Sequence, residues 1–118
     1  MTREFLDYIE DVLTSMDKAE KFVQGMSYDD FLADDKTSFA TLRALEIIGE
    51  AVKKVPPAVR NRYPDIPWTE MAGMRDKLIH DYFGVNLQTV WDTVKKDIPA
   101  LKPKFKQVYQ DYSDNEAE

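Results

Sequence analysis

The chain has no cysteine and only one histidine among its 118 residues, and these two shortages remove whole classes of chemistry. Without thiols there are neither disulfides nor thiolate metal sites, and one imidazole is too few for the usual zinc ligand sets. The expectation is no built-in metal and no cofactor. No apolar run approaches the length needed to span a bilayer, and Met1-Thr2-Arg3-Glu4-Phe5 lacks the apolar centre of a signal peptide, so a cytoplasmic protein is expected. Positive charge is also scarce: 16 Lys and Arg face 22 Asp and Glu, for a formal net charge of −6. That excludes a protein that coats nucleic acid through one broad basic surface. Strand alternation, internal repeats, glycine-rich phosphate loops and low-complexity tracts are missing too.

What is present describes one soluble globular domain, with 43% hydrophobic and 32% charged residues. Its expected extent is residues 1–110, followed by an acidic tail over 111–118 that should fray. The charge is unevenly placed. Residues 1–50 carry five Lys or Arg against twelve acids, whereas residues 51–110 carry eleven against six. A local basic face in the second half could hold a phosphate backbone or an acidic partner, with Lys53, Lys54, Arg60, Arg62, Lys95 and Lys96 as candidate contacts. Ordinary solvated helix faces would explain the same charges.

The apolar rhythm is helical throughout, so the fold class is all-α, a bundle of about four to five helices. Phe5, Ile9, Val12, Met16, Ala19 and Val23 are spaced 4-3-4-3-4 and predict a helix from Arg3 to Val23, closed at Gln24-Gly25. Ser27 offers an N-cap to a short helix through Leu32, and Asp34-Asp35 caps a longer one from about Lys36 to Val55. That third helix is apolar over a wide arc and should touch more than one neighbour. Gly49 within it costs about 1 kcal/mol relative to alanine, which a close helix approach would justify. Arg43, Glu46 and Glu50 share its remaining face and are expected to form intrahelical pairs. Pro56-Pro57 stops it, and one turn is expected between Ala58 and Tyr63 before an extended connection. A fourth helix begins at Pro67-Trp68 and is expected to reach Phe83, with Gly84 as its cap. Asn86 caps a fifth, whose stripe Leu87, Trp91, Val94, Ile98, Leu101, Phe105 and Val108 predicts a kink or short break near Pro99 without a change of direction. Trp68 and Trp91 read as core anchors.

The segment Met74 to Phe83 holds the chemistry. On a continuous helix, Met71, Leu78, Ile79, Tyr82 and Phe83 would lie within roughly 80° of Arg75, which puts a guanidinium in the middle of an apolar face. It must then meet a carboxylate, a ligand phosphate, or water in a cleft. Asp76 and His80, four apart, would share the shoulder of that face, where the carboxylate can orient the ring. An arginine that grips phosphate and a histidine that moves protons are the groups that metal-free RNA cleavage requires. One histidine cannot easily be acid and base in one step, so two copies related by a twofold axis could divide the work. A structural arginine and a surface histidine would use the same residues.

Arg75 to Tyr82 fits the Arg-x4-His-x-Tyr motif and resembles the HepT-like toxins, a branch of the HEPN superfamily of small helical ribonucleases. Similar context surrounds it: Leu45-Glu46-Ile47-Ile48-Gly49-Glu50-Ala51 upstream, Ile66-Pro67-Trp68 ahead of the motif, and Val90-Trp91 with Asp97-Ile98-Pro99 beyond. The resemblance covers nearly the whole chain apart from the tail. It implies an up-and-down HEPN bundle that forms a homodimer with the two motifs facing each other. It also implies metal-independent endoribonuclease activity with Arg75 and His80 catalytic and Asp76 supporting. The implied partners are an RNA substrate and an MNT-type nucleotidyltransferase antitoxin, which would transfer AMP to Tyr82. Asp81 stands where many relatives have glycine. The alternative from another class is a catalytically silent helical module that docks a nucleotidyltransferase or a nucleotide.

Overall fold

Each residue of the first stripe, from Phe5 to Val23, is buried, so the 4-3 spacing did select the core face of one helix. In the computed structural model, which describes residues 3–80 and 84–117, that helix is α1 (Arg3–Phe22). It lies against α3 (Asp35–Lys53), and this pairing supplies much of the core through Ile9, Val12, Met16, Leu45, Ile48 and Val52. Each such side chain contributes about 1.5–3 kcal/mol when fully buried.

The local start signals act as their chemistry requires. The Ser27 hydroxyl accepts from the Asp30 N–H at 3.0 Å, while the Asp30 carboxylate accepts from the Ser27 N–H at 3.1 Å. That reciprocal box opens α2 (Tyr28–Ala33). The Asp34 carboxylate accepts from both the N–H and the hydroxyl of Thr37, which starts α3 and holds its carboxyl below the usual range, the Thr37 N–H being the main cause. At the far end Pro57 opens the single turn α4 (Pro57–Arg60). Arg60 then turns back on α3: Nε donates to Val55 O at 2.9 Å, and NH2 to Val52 O and Lys53 O at 3.1 Å. These are carbonyls at the end of a helix, which a cation satisfies well.

The expected fourth helix is shorter than its apolar pattern suggests. It begins as α5 (Trp68–Ala72), turns at Gly73, continues as α6 (Met74–Leu78) and stops. Ile79 is extended, and β1 (Ile79–His80) pairs antiparallel with β2 (Gly84–Val85), with Ile79 opposite Val85 and His80 opposite Gly84. In a continuing helix the Leu78 carbonyl would accept from the residue four on. Here it accepts from the Asn86 N–H at 2.8 Å. Gly84 is therefore not a helix cap: with φ of 81° it opens the returning arm of the ribbon. Apart from this two-stranded ribbon the elements of the described chain are helices joined by turns, and the all-α reading stands.

Asn86 caps α7 (Leu87–Asp92), its Oδ1 accepting from the Thr89 N–H at 3.1 Å. A π-helical turn follows at Thr93–Asp97 and then α8 (Ile98–Ala117). The disturbance expected near Pro99 is this turn. Proline has no N–H and its ring crowds the carbonyl four residues back, so the wider turn, with the Ile98 N–H reaching Thr93 O, absorbs the mismatch one turn early. The axis continues past it. From Leu87 to Ala117 it would span about 46 Å at helical rise, close to the longest dimension of the molecule, 49 Å.

The last turns of α8 carry contacts back to the body of the fold. Asp111 accepts from the Tyr63 hydroxyl at 2.7 Å and from Gln107 Nε2, while Tyr112 packs edge-on against Phe5 and receives a hydrogen bond from Arg62. α8 stays helical through Ala117. No helix among the described residues is long and apolar enough to cross a membrane.

Candidate active site

α6 is carried to its place by buried neighbours on both sides of the motif. Met71, Met74 and Leu78 point into the core, and the Trp68 ring packs on Phe105 with its indole N–H donating to Tyr63 O at 3.0 Å. The segment can approach α3 closely because of Gly49. A Cβ built there would stand 3.1 Å from Met71 O and 3.6 Å from Met74 Cβ. The close approach expected of that glycine is real, and it brings the first turn of α6 against the polar face of α3.

Arg75 is not buried in an apolar face: α6 ends at Leu78, Ile79 is extended, and the Arg75 side chain is 61% exposed. Its Nε lies 3.4 Å from Glu46 Oε2. Of the partners open to that guanidinium, the structure supplies a carboxylate. Glu46 is only 18% exposed, and its other oxygen, Oε1, lies 3.9 Å from Arg43 NH1. The pair expected within α3 is thus one half of a three-member bridge that reaches to α6.

Asp76 is exposed in the first turn of α6. The shared helical shoulder expected for Asp76 and His80 does not form, because His80 contributes its backbone to β1. The side chain of His80, together with Asp81, Tyr82 and Phe83, lies outside the described residues, and so does the modification expected at Tyr82. What the fold does bring together in space is the first turn of α6 and the Glu46 turn of α3, with the ribbon that carries the His80 backbone following α6 directly in the chain.

The other basic candidates are spread over separate elements. Arg60 is consumed by the α3 carbonyls. Arg62 donates to the Tyr112 hydroxyl at 2.8 Å and lies over that ring. Lys53 pairs with Glu50 at 4.0 Å, and Lys96 with Asp92 at 3.8 Å. Lys95 sits over the Trp91 ring, which itself packs on Phe31 and Tyr28 in the role of core anchor. Lys54 is exposed just past α3. Arg43 is tied to Arg75 through Glu46. The sequence reading pairs Arg43 and Glu46 within α3; the place of Glu46 three residues before Gly49, where a close helix approach is expected, was the available signal that another element would reach it.

An open cleft of about 300 Å³ adjoins α6, between Met71, Met74 and Lys77 on one side and Thr93, Asp97 and Leu101 on the other. Its walls are mainly apolar and include neither Arg75 nor Glu46.

Comparison with known proteins agrees with the motif. Residues 12–108 match the family described as "Ribonuclease HepT-like". The chain is 52% identical over 108 residues to "Probable ribonuclease HepT" of Thermococcus cleftensis, covering 92% of this chain and 98% of that protein. It is 46% identical over 109 residues to a Methanocaldococcus jannaschii protein named "Putative RNase MJ0125", covering 92% and 94%. A further protein of that organism, "Gamma-glutamylcyclotransferase and putative RNase MJ0434", is 39% identical over 115 residues, which cover 98% of this chain and 52% of that protein. No solved structure matches.

Proposed function

Since the chain belongs to the HepT-like ribonuclease family, we propose that it is the RNA-cleaving toxin of a HEPN/MNT toxin–antitoxin pair, acting without a metal ion at a cleft between two copies of itself. The observation that carries this reading is the exposed guanidinium of Arg75 in the first turn of α6, paired across helices with the Glu46 carboxylate and five residues ahead of His80 in the chain. An arginine exposed yet anchored is suited to receive a phosphate, because its planar donors can meet two phosphate oxygens at once.

In this reaction the ribose 2′-oxygen attacks the adjacent phosphorus and the bond from phosphorus to the 5′-oxygen breaks. The 2′-hydroxyl loses its proton to a base, and the departing 5′-oxygen gains one from an acid. His80 of one protomer and His80 of its partner divide those two transfers, while Arg75 offsets the charge that builds on the phosphoryl oxygens. Asp76 supports the site as a polar neighbour.

Neutralisation, in this reading, acts on the same guanidinium. The Tyr82 hydroxyl attacks the α-phosphorus of ATP on a nucleotidyltransferase antitoxin, pyrophosphate leaves, and the AMP adduct offers Arg75 an anion in place of RNA. A second reading, a silent module that binds RNA or a nucleotidyltransferase, is favoured by one feature: Arg75 already has a carboxylate partner.

Expressing the wild type beside Arg75→Ala and His80→Ala separates the two. Loss of toxicity and of RNA decay in both variants, with wild-type cleavage persisting in EDTA, is the expected result. RNA binding without cleavage by the wild-type dimer would move the assignment to the silent module. Intact-mass measurement after incubation with ATP and the transferase should show an AMP increment that Tyr82→Phe abolishes.

A further inference from the structure

Glu46 holds two guanidiniums, one with each of its carboxylate oxygens: Arg43 NH1 at 3.9 Å from Oε1 and Arg75 Nε at 3.4 Å from Oε2. Both distances exceed the 2.7–2.9 Å typical of short charge-assisted bonds, so neither arginine spends its donor fork on the carboxylate. The two cations are 67% and 61% exposed, whereas the anion between them is 18% exposed. A half-buried carboxylate beneath and exposed guanidiniums above is an arrangement that orients both arginines and presents their ends to solvent.

Resting on the ribonuclease reading above, we propose that Arg43, Glu46 and Arg75 form a clamp for two successive phosphates of single-stranded RNA. The phosphate undergoing cleavage sits on Arg75, its neighbour sits on Arg43, and Glu46 is the positioning residue that sets their separation. Exposed ion pairs are weak and easily exchanged for a better anion, and a phosphate that accepts two parallel N–H bonds is a better partner than a carboxylate at these distances. The charge on Glu46 also repels phosphate from the midpoint. RNA is thereby kept at the two ends, in one register, and not bridged across the centre. Arg43 lies outside the Arg-x4-His-x-Tyr motif, one helical turn before Glu46 on α3, and Gly49, nearly one turn after it, lets α6 come near enough for Arg75 to share the carboxylate.

The test uses the full chain and a fluorescein-labelled oligouridylate. In a His80→Ala background, which holds RNA uncut, Kd is measured across a potassium chloride series. Each phosphate contact on a single strand contributes a slope of about 0.7 in log Kd against log salt. Arg43→Ala should lower the slope by about that amount, and Arg43→Lys should retain it. In the active background Arg43→Ala should raise KM and leave kcat nearly unchanged. Glu46→Gln should lower both KM and kcat, since the competing charge is gone while the aim of Arg75 is lost; a misplacement of about 1 Å can cost up to about 100-fold in rate. A merely structural Glu46 would not produce that joint fall. Unchanged slope and KM in Arg43→Ala, with melting temperature preserved, would overturn the clamp, as would Glu46→Gln cleaving like wild type. If Arg75→Ala and His80→Ala still cleave, the assignment of catalysis to these residues fails instead, and if the wild type itself does not cleave, the ribonuclease reading fails, so the failures are told apart.

Discussion

Replacing Gly49 by alanine probes how the fold sets the site. Two effects of opposite sign meet there. Alanine in a helix interior is favoured over glycine by about 1 kcal/mol. Against that, its Cβ would stand 3.1 Å from the Met71 carbonyl oxygen. The obstacle is backbone, not the end of a flexible side chain. It belongs to a turn tied by the Gly73 N–H to Thr69 O at 3.0 Å and anchored by the buried Trp68 and Met71. Relief requires α5 and α6 to move away from α3 by a few tenths of an ångström, and inserting a methyl into such a contact costs about 1–3 kcal/mol. The net expectation for Gly49→Ala is destabilisation of up to about 2 kcal/mol, or a fall in Tm of up to about 8 °C for a chain of this length. Valine, larger and stiff at χ1, should cost more. Thermal melting by circular dichroism gives the first number, and RNA cleavage by the same samples gives the second. Activity should fall further than stability, because the movement separates Arg75 from Glu46. A Gly49→Ala protein that melts several degrees higher than wild type with full cleavage would refute the close approach and the coupling together.

Two other predictions concern groups away from the site. Burial, with the Asp111 bond second, pushes the Tyr63 hydroxyl up from 10 to about 12, so its neutral form is the one the fold prefers. The stability this contributes is complete below pH 10 and is lost as pH rises toward 12; a tyrosine absorbance titration should show a late step that Tyr63→Phe removes, at a cost of about 1 kcal/mol at neutral pH. Lys102 bridges α8 to Asp17 at 2.8 Å and to Glu20 on α1, and those bonds, Asp17 first, raise its pKa. Its contribution is fully present below pH 10.5 and fades as pH climbs through the raised value, so Lys102→Met should lose about 1 kcal/mol at pH 7 and show a flatter alkaline limb in denaturant melts. A variant as stable as wild type at pH 7 would mean that the bridge contributes nothing.

Local rules were legible in the residues themselves. The stripes of α1 and α8, the Ser27, Asp34 and Asn86 caps, and the break around Pro99 depend on neighbours within a turn or two, and the spacing of side chains records such neighbours directly. The motif was legible as well, through its Arg-x4-His-x-Tyr spacing and the segments around it. Its surroundings were not. From Met71 to Phe83 the apolar pattern suits a helix, yet the Leu78 carbonyl goes to Asn86, eight residues on. Competition between helix and ribbon is decided by which partner the whole fold delivers, and no periodicity encodes it. Arg75 meets Glu46 across 29 positions of sequence because Gly49 lets two helices touch, and Arg60 is withdrawn from the surface by carbonyls that only the end of α3 presents. Residue types and spacing determined the helices and the catalytic candidates; tertiary packing alone decided which charges face each other, since an ion pair between elements depends on distances that the chain acquires only when folded.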